Sequence, residues 1–72
     1  SMDYAMKVYP IHLDNGKTEW CVEYPDLKGC VGGGDTIEEA IADAEATKAV
    51  YLSYLKEEGI ELPVPKEGGN LL

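Results

Sequence analysis

Apolar and polar positions alternate with a period of two along the first third of the chain. Between Tyr4 and Leu13, the residues Tyr9, Ile11 and Leu13 fall on one side and Val8 and His12 on the other. Between Thr18 and Tyr24, the residues Trp20, Val22 and Tyr24 oppose Glu19, Cys21 and Glu23. That period belongs to half-buried strands, so two strands are predicted. Asp14-Asn15-Gly16-Lys17 joins them, and Asn-Gly signals a hairpin turn because both residues tolerate positive φ. Pro10 has no amide hydrogen for a ladder, which places the first strand at a sheet edge or a bulge. One face of this hairpin is expected in the core and the other largely in water.

From Ile37 the period lengthens to that of a helix. Ile37, Ala40, Ile41, Ala44, Tyr51, Leu52 and Leu55 share a stripe that runs to about Glu58, and Gly59 is a natural stop. Thr36 and Glu39 have the spacing of a capping box at its start. At 1.5 Å per residue such a helix is roughly 33 Å long, longer than any strand, which leaves Val50 and Tyr54 free to meet a partner. Lys48 interrupts the stripe; its stem is expected to lie buried with the amine in water, the alternative being a carboxylate in an interface. Between hairpin and helix, Pro25 to Gly29 reads as a turn and Cys30 to Gly33 as a short third strand. Its glycines admit a close neighbour. Ile60 to Pro65 is predicted extended, since each proline pushes its predecessor out of helix. Lys66 to Leu72 reads as a last short strand or a tail. The expected class is α+β, with a three-stranded antiparallel sheet, one long helix and a short fourth strand in the order βββαβ.

Size changes the picture next. A 72-residue chain makes one domain and buries only about 60% of its unfolded surface. Two cysteines and one histidine supply little for a disulfide or metal staple. Cys21 and Cys30 lack a metal-knuckle spacing and a second pair. Self-association or complex formation is the favoured aid, so a homo-oligomer is expected. No leader peptide and no bilayer-length apolar run is seen, and the reading is a cytoplasmic protein with free thiols. Ser1-Met2 reads as a remnant of tag removal, with the domain at residues 3–65 and the tail at 66–72.

Charge narrows the partners. Fourteen acidic residues face six lysines and no arginine, a formal net charge of −8. A phosphate backbone calls for the opposite sign, so direct nucleic-acid binding is not expected. Fast capture of a basic partner fits better. Asp35, Glu38, Glu39 and Asp43 cluster at the helix start, where acids complement the helix dipole without any catalytic purpose. His12 has no nucleophile to activate. Val31 to Asp35 imitates an anion cradle but lacks the lysine of a phosphate loop, and Cys30 reads as a small buried hydrophobe. No catalytic, cofactor or metal residue is assigned.

Tyr24-Pro25-Asp26-Leu27-Lys28-Gly29-Cys30, then Gly34-Asp35-Thr36, then Glu38-Glu39-Ala40-Ile41 and Ala44, resemble the N-terminal domain signature of the HicB-like antitoxins of type II toxin–antitoxin systems. The resemblance runs from about Tyr9 to Pro65. It implies a cut-down ribonuclease H-like fold without that enzyme's catalytic carboxylates. It also implies a non-enzymatic role: binding HicA, a small basic ribonuclease that cleaves messenger RNA, over its catalytic histidine. Family members add a C-terminal DNA-binding module for autoregulation, which is not carried over to these 72 residues. The motif residues Tyr24, Pro25, Asp26, Leu27, Gly29, Cys30, Gly34, Asp35, Thr36, Glu39 and Ala40 are expected to be mainly structural. Glu19, Glu23, Asp26 and Asp35 are expected to oppose basic groups of the partner. Trp20 is expected in the core with Val22 and Tyr24, or else as an interface anchor. The rival reading is a stand-alone oligomeric scaffold or regulator without a toxin.

Overall fold

A computed structural model describes residues 3–66 of the chain. Three strands, β1 (Lys7–His12), β2 (Thr18–Glu23) and β3 (Val31–Gly34), precede one helix, α1 (Ile37–Glu57). The sheet order is β1-β2-β3 with both pairings antiparallel. The third strand starts one residue later than expected. Ile60 to Lys66 carries no strand. The fourth strand expected at Lys66 to Leu72 falls almost wholly outside the described residues, as does Ser1-Met2, expected to be a tag remnant.

The hairpin closes differently from the Asn-Gly expectation. Gly16 alone takes positive φ, at 83°, and its N–H donates to Leu13 O at 3.0 Å. Asn15 keeps negative φ and instead accepts a 2.9 Å bond from the Lys17 N–H through its side chain. The Leu13 N–H donates to Lys17 O at 2.8 Å, which fixes the ladder parity. Residues 7, 9 and 11 then turn their amides toward β2, and 8, 10 and 12 turn theirs outward. Pro10 therefore sits where its missing N–H deprives no partner, on the outer edge.

Over β3 the helix is held against backbone rather than side chains. A Cβ added to Gly32 would lie 2.7 Å from Ala44 Cα and 2.9 Å from Ala44 Cβ, and one added to Gly34 would lie 2.8 Å from Ala40 N. Neither glycine has positive φ, so their role is steric. Ala40 and Ala44 are fully buried at this contact, and Val22, Tyr24, Leu27 and Cys30 complete the core with Tyr4. Met6, Trp20, Ile41, Tyr51 and Leu52 pack around it. Seated over β3 and β2, α1 leaves β1 exposed along its whole length. The core face expected for the hairpin is thus confined to β2. Ile37, placed on the apolar stripe by its spacing, is exposed at the first turn.

Both helix ends are closed by local bonds. Thr36 Oγ1 accepts from the Glu39 N–H and donates to Glu39 Oε1, each at 3.1 Å, a variant of the capping box. At the other end Gly59 has φ 69°, and the N–H groups of Gly59 and Ile60 donate to Lys56 O and Leu55 O at 3.1 and 2.9 Å. That pair of bonds is a Schellman motif, which satisfies carbonyls the last turn leaves open.

A side chain at Gly32 has no room to relax, because the facing atoms are helix backbone. Gly32→Val is expected to destabilise the domain by roughly 2–3 kcal/mol through overpacking. Gly33→Ala, whose added Cβ would meet Trp20 O at 3.5 Å, is expected to change stability by less than about 0.5 kcal/mol. Urea denaturation of the two variants tests the contrast; equal effects would contradict it.

Candidate partner-binding surface

The predicted contact residues separate into different places. Glu19 and Glu23 lie on the sheet face turned away from α1, beside Tyr9 and Cys21, which pair across the β1–β2 ladder. Asp35 is exposed just before the helix. Asp26 is engaged within the chain, its Oδ2 accepting a 2.8 Å bond from the Lys66 N–H. Trp20 is on the helix side, partly buried against the core.

The open sheet face is unusually apolar for a surface in water. Tyr9, Ile11, Leu13 and Val31 are 39, 41, 41 and 54% exposed. Tyr9, Glu19, Cys21, Val31, Gly33 and Asp43 line a shallow depression on this side. Glu23 Oε2 accepts a long, 3.4 Å bond from the Tyr9 hydroxyl, and the Glu23 charge, followed by burial, pushes that hydroxyl above its ordinary range. Asp43 was legible only as a helix-start acid. Its Oδ2 reaches the β3 edge and accepts the outward N–H of Gly33 at 3.0 Å, which plugs the strand against pairing there. Apolar centre and acidic margin together form a surface suited to a basic, partly apolar partner.

The other chemistry-bearing residues have structural occupations. His12 Nδ1 lies 3.2 Å from Thr18 Oγ1 at the hairpin end. Burial pushes the Cys30 thiol up despite nearby Lys48, which disfavours the reactive thiolate. Among the described residues no three His, Cys, Asp or Glu side chains gather to hold a metal ion. No helix among them is long and apolar enough to cross a membrane.

Lys48 is half-buried, and its Nζ lies 5.3 Å from the centroid of the Tyr24 ring. The Tyr24 hydroxyl is buried without a hydrogen-bond partner, and burial, then Glu45, raises its pKa. The motif residue thus contributes through its ring. Tyr4 works through its hydroxyl, donating to Pro63 O at 2.6 Å. Burial, with Asp26 and Tyr51 nearby, pushes that hydroxyl up and keeps it a donor. Tyr4 and Asp26 together clamp the segment after the helix.

A small α+β domain with one open, partly apolar and partly acidic sheet face finds its counterpart among known proteins. The chain belongs to the HicB-like antitoxin family of bacterial toxin–antitoxin systems, whose pattern it matches over residues 9–71. It is 34% identical over 61 residues to Antitoxin HicB 2 of Photorhabdus laumondii, covering 85% of this chain and 44% of that protein. It is 32% identical over 56 residues to an uncharacterised 14.9 kDa protein from the rep-hol intergenic region of Haemophilus phage HP1, covering 78% and 42%. A UPF0150 protein of Synechocystis is 44% identical over 55 residues, covering 76% and 63%. The chain spans less than half the length of the first two relatives. No solved structure matches it.

Two measurements test these assignments. Lys48→Met, which keeps the apolar stem, is expected to lose about 0.5–1 kcal/mol of cation–π stabilisation, whereas Tyr24→Phe should be neutral or stabilising by up to ~1 kcal/mol because it removes an unsatisfied hydroxyl. Urea titrations that found Tyr24→Phe the more damaging would show that the hydroxyl has a partner. For the clamp, Asp26→Ala is expected to speed hydrogen exchange at the Lys66 amide about tenfold, with exchange within β2 unchanged.

Proposed function

We propose that this domain is a non-catalytic antitoxin module that binds and neutralises a small basic HicA-type toxin that cleaves messenger RNA. The observation that carries the reading is the open sheet face, apolar along Tyr9, Ile11 and Val31 and acidic at Glu19 and Glu23, on a chain of the antitoxin family. The Photorhabdus relative carries the name of an antitoxin. In this reading residues 3–65 are the binding domain, a cut-down ribonuclease H-like fold, and act in the cytoplasm. Glu19 and Glu23 meet the toxin's basic groups and Asp35 adds to the acidic field. Asp26 and Trp20 support the surface from within. A second copy of the domain accompanies the complex, since so small a core gains from association.

The mechanism follows from charge and area. An acidic surface raises the rate at which a basic ribonuclease is captured. Burial of the apolar centre then slows its release, and occlusion keeps RNA from the toxin's active site without any chemistry by this chain. The test is co-purification with the product of the neighbouring gene, followed by RNA cleavage with and without this protein. A stoichiometric complex that silences cleavage is expected, with association slowing as salt rises. Glu19→Lys combined with Glu23→Lys is expected to weaken binding by roughly 1–3 kcal/mol while leaving the fold intact. A stable self-associated species that ignores the neighbouring gene product would instead mark a scaffold without a toxin.

A further inference from the structure

Gly33 is the glycine of β3 that the helix contact does not explain. Gly32 and Gly34 face α1, and a Cβ on either would collide with helix backbone. Gly33 faces the open side, where a Cβ would meet nothing closer than Trp20 O at 3.5 Å, and its φ is not positive. A glycine inside a strand weakens it, through backbone entropy and the lack of a side chain to pack. Neither sterics nor backbone geometry requires one here, so what the missing side chain provides is space.

That space has definite walls. Tyr9 pairs with Cys21, and Cys21 with Gly33, so one row across the open face falls from a phenol through a thiol to bare backbone. The step forms a depression of about 350 Å³, room for a single long side chain. Glu19 stands on one flank, with its Cδ 3.9 Å and its Oε1 4.0 Å from the place of a Gly33 Cβ. Asp43 enters from α1 at the β3 edge, its Oδ2 held at 3.0 Å by the Gly33 N–H. That donor is a neutral amide, which fixes the carboxylate in place without cancelling its charge. A carboxylate keeps acceptor sites for further donors. Among the described residues no cation lines the depression.

The shape and charge together select the occupant. Carboxylates on two sides of a flat backbone floor suit a guanidinium, which is planar, donates from several edges at once and stacks on aromatic faces such as Tyr9. An ammonium is a compact, strongly hydrated point charge and gains less from such a floor. The chain has six lysines and no arginine, so a second copy of it cannot supply the group.

We propose that the depression over Gly33 is a socket for one arginine side chain of a protein partner, clasped between Glu19 and Asp43 with Tyr9 as its wall. The socket deepens the antitoxin reading and rests on it for the source of the arginine, a basic toxin. Gly33 is then a specificity-determining position, because a side chain there fills the floor while leaving both carboxylates in place.

The test is an NMR titration of the isotope-labelled protein with the capped peptide Gly-Arg-Gly. Control peptides carry citrulline, which has the same shape without the charge, or lysine in place of the arginine. Shift changes centred on Cys21, Gly33 and Asp43 are expected, with the citrulline peptide binding about tenfold and the lysine peptide about threefold more weakly. Gly33→Val, and separately Glu19→Gln combined with Asp43→Asn, should each weaken arginine binding about tenfold without lowering the melting temperature. Glu57→Gln, which removes one charge far from the socket, should leave binding intact. Equal binding of the three peptides, shifts spread over all the acidic residues, or unchanged binding by Gly33→Val would overturn the proposal. The neighbouring gene product separates the socket from the antitoxin reading. A toxin complex that forms equally well with Gly33→Val refutes the socket and keeps the antitoxin. Arginine binding as expected, with no toxin complex, keeps the socket and refutes the antitoxin.

Discussion

The approach of α1 to the backbone of β3 is the constraint from which the other features follow. Gly32 and Gly34 present no Cβ, so Ala40 and Ala44 settle directly over the strand. Dispersion and apolar burial are then gained at short range by small residues, which suits a chain too short to surround a thick core. The cost is positional: a helix locked over β3 cannot also cover β1. The uncovered hairpin and its apolar outer side are consequences of the same contact that stabilises the domain.

The remaining stabilising devices compensate for that off-centre helix. Tyr4 and Asp26 hold the segment beyond Gly59 through Pro63 O and the Lys66 N–H, adding long-range connections where the sheet is thin. Lys48 covers the Tyr24 ring with a cation instead of a further aliphatic group, so one end of the core is closed without enlarging the apolar surface. At the free edges the chain uses two different defences. Pro10 removes an outward donor on β1, and Asp43 occupies the outward donor of Gly33 on β3. Each device removes a donor to which a further strand could pair at that edge.

Much of this was legible in the sequence because it rests on local rules. The periods of β2 and α1, the Thr36–Glu39 cap and the stop at Gly59 each depend on residues within a few positions of one another. What local patterning missed depends on distant placement. Alternation put Tyr9, Ile11 and Leu13 together on one side, but their exposure follows from where α1 rests. The Asn-Gly turn was visible, although positive φ fell on Gly16 alone because Asn15 bonds its side chain to Lys17. Asp26 looked like a surface acid because its partner is forty residues away. Glu19 and Glu23 could be assigned to the wet face of β2 because parity sets these acids opposite Trp20, Val22 and Tyr24. Asp43 joined the margin of that surface only because the helix carries it to the β3 edge.

The residues that carry the family likeness and those that form the surfaces are largely different sets. Tyr24, Leu27 and Cys30 fill the core, Gly34 and Ala40 seat the helix, and Thr36 and Glu39 start it. Tyr9, Ile11, Val31, Val50 and Tyr54 lie on the exterior, apart from Tyr24–Cys30, Gly34–Thr36 and Glu38–Ile41. Changing an exterior side chain leaves the helix–glycine contact untouched, whereas changing a motif residue alters it or the core beneath. A scaffold built this way can keep its frame while the chemistry of its faces is adjusted to a partner. In the antitoxin reading proposed above, the margin of acids matches the partner's charge, and the apolar positions between them set which shape is held.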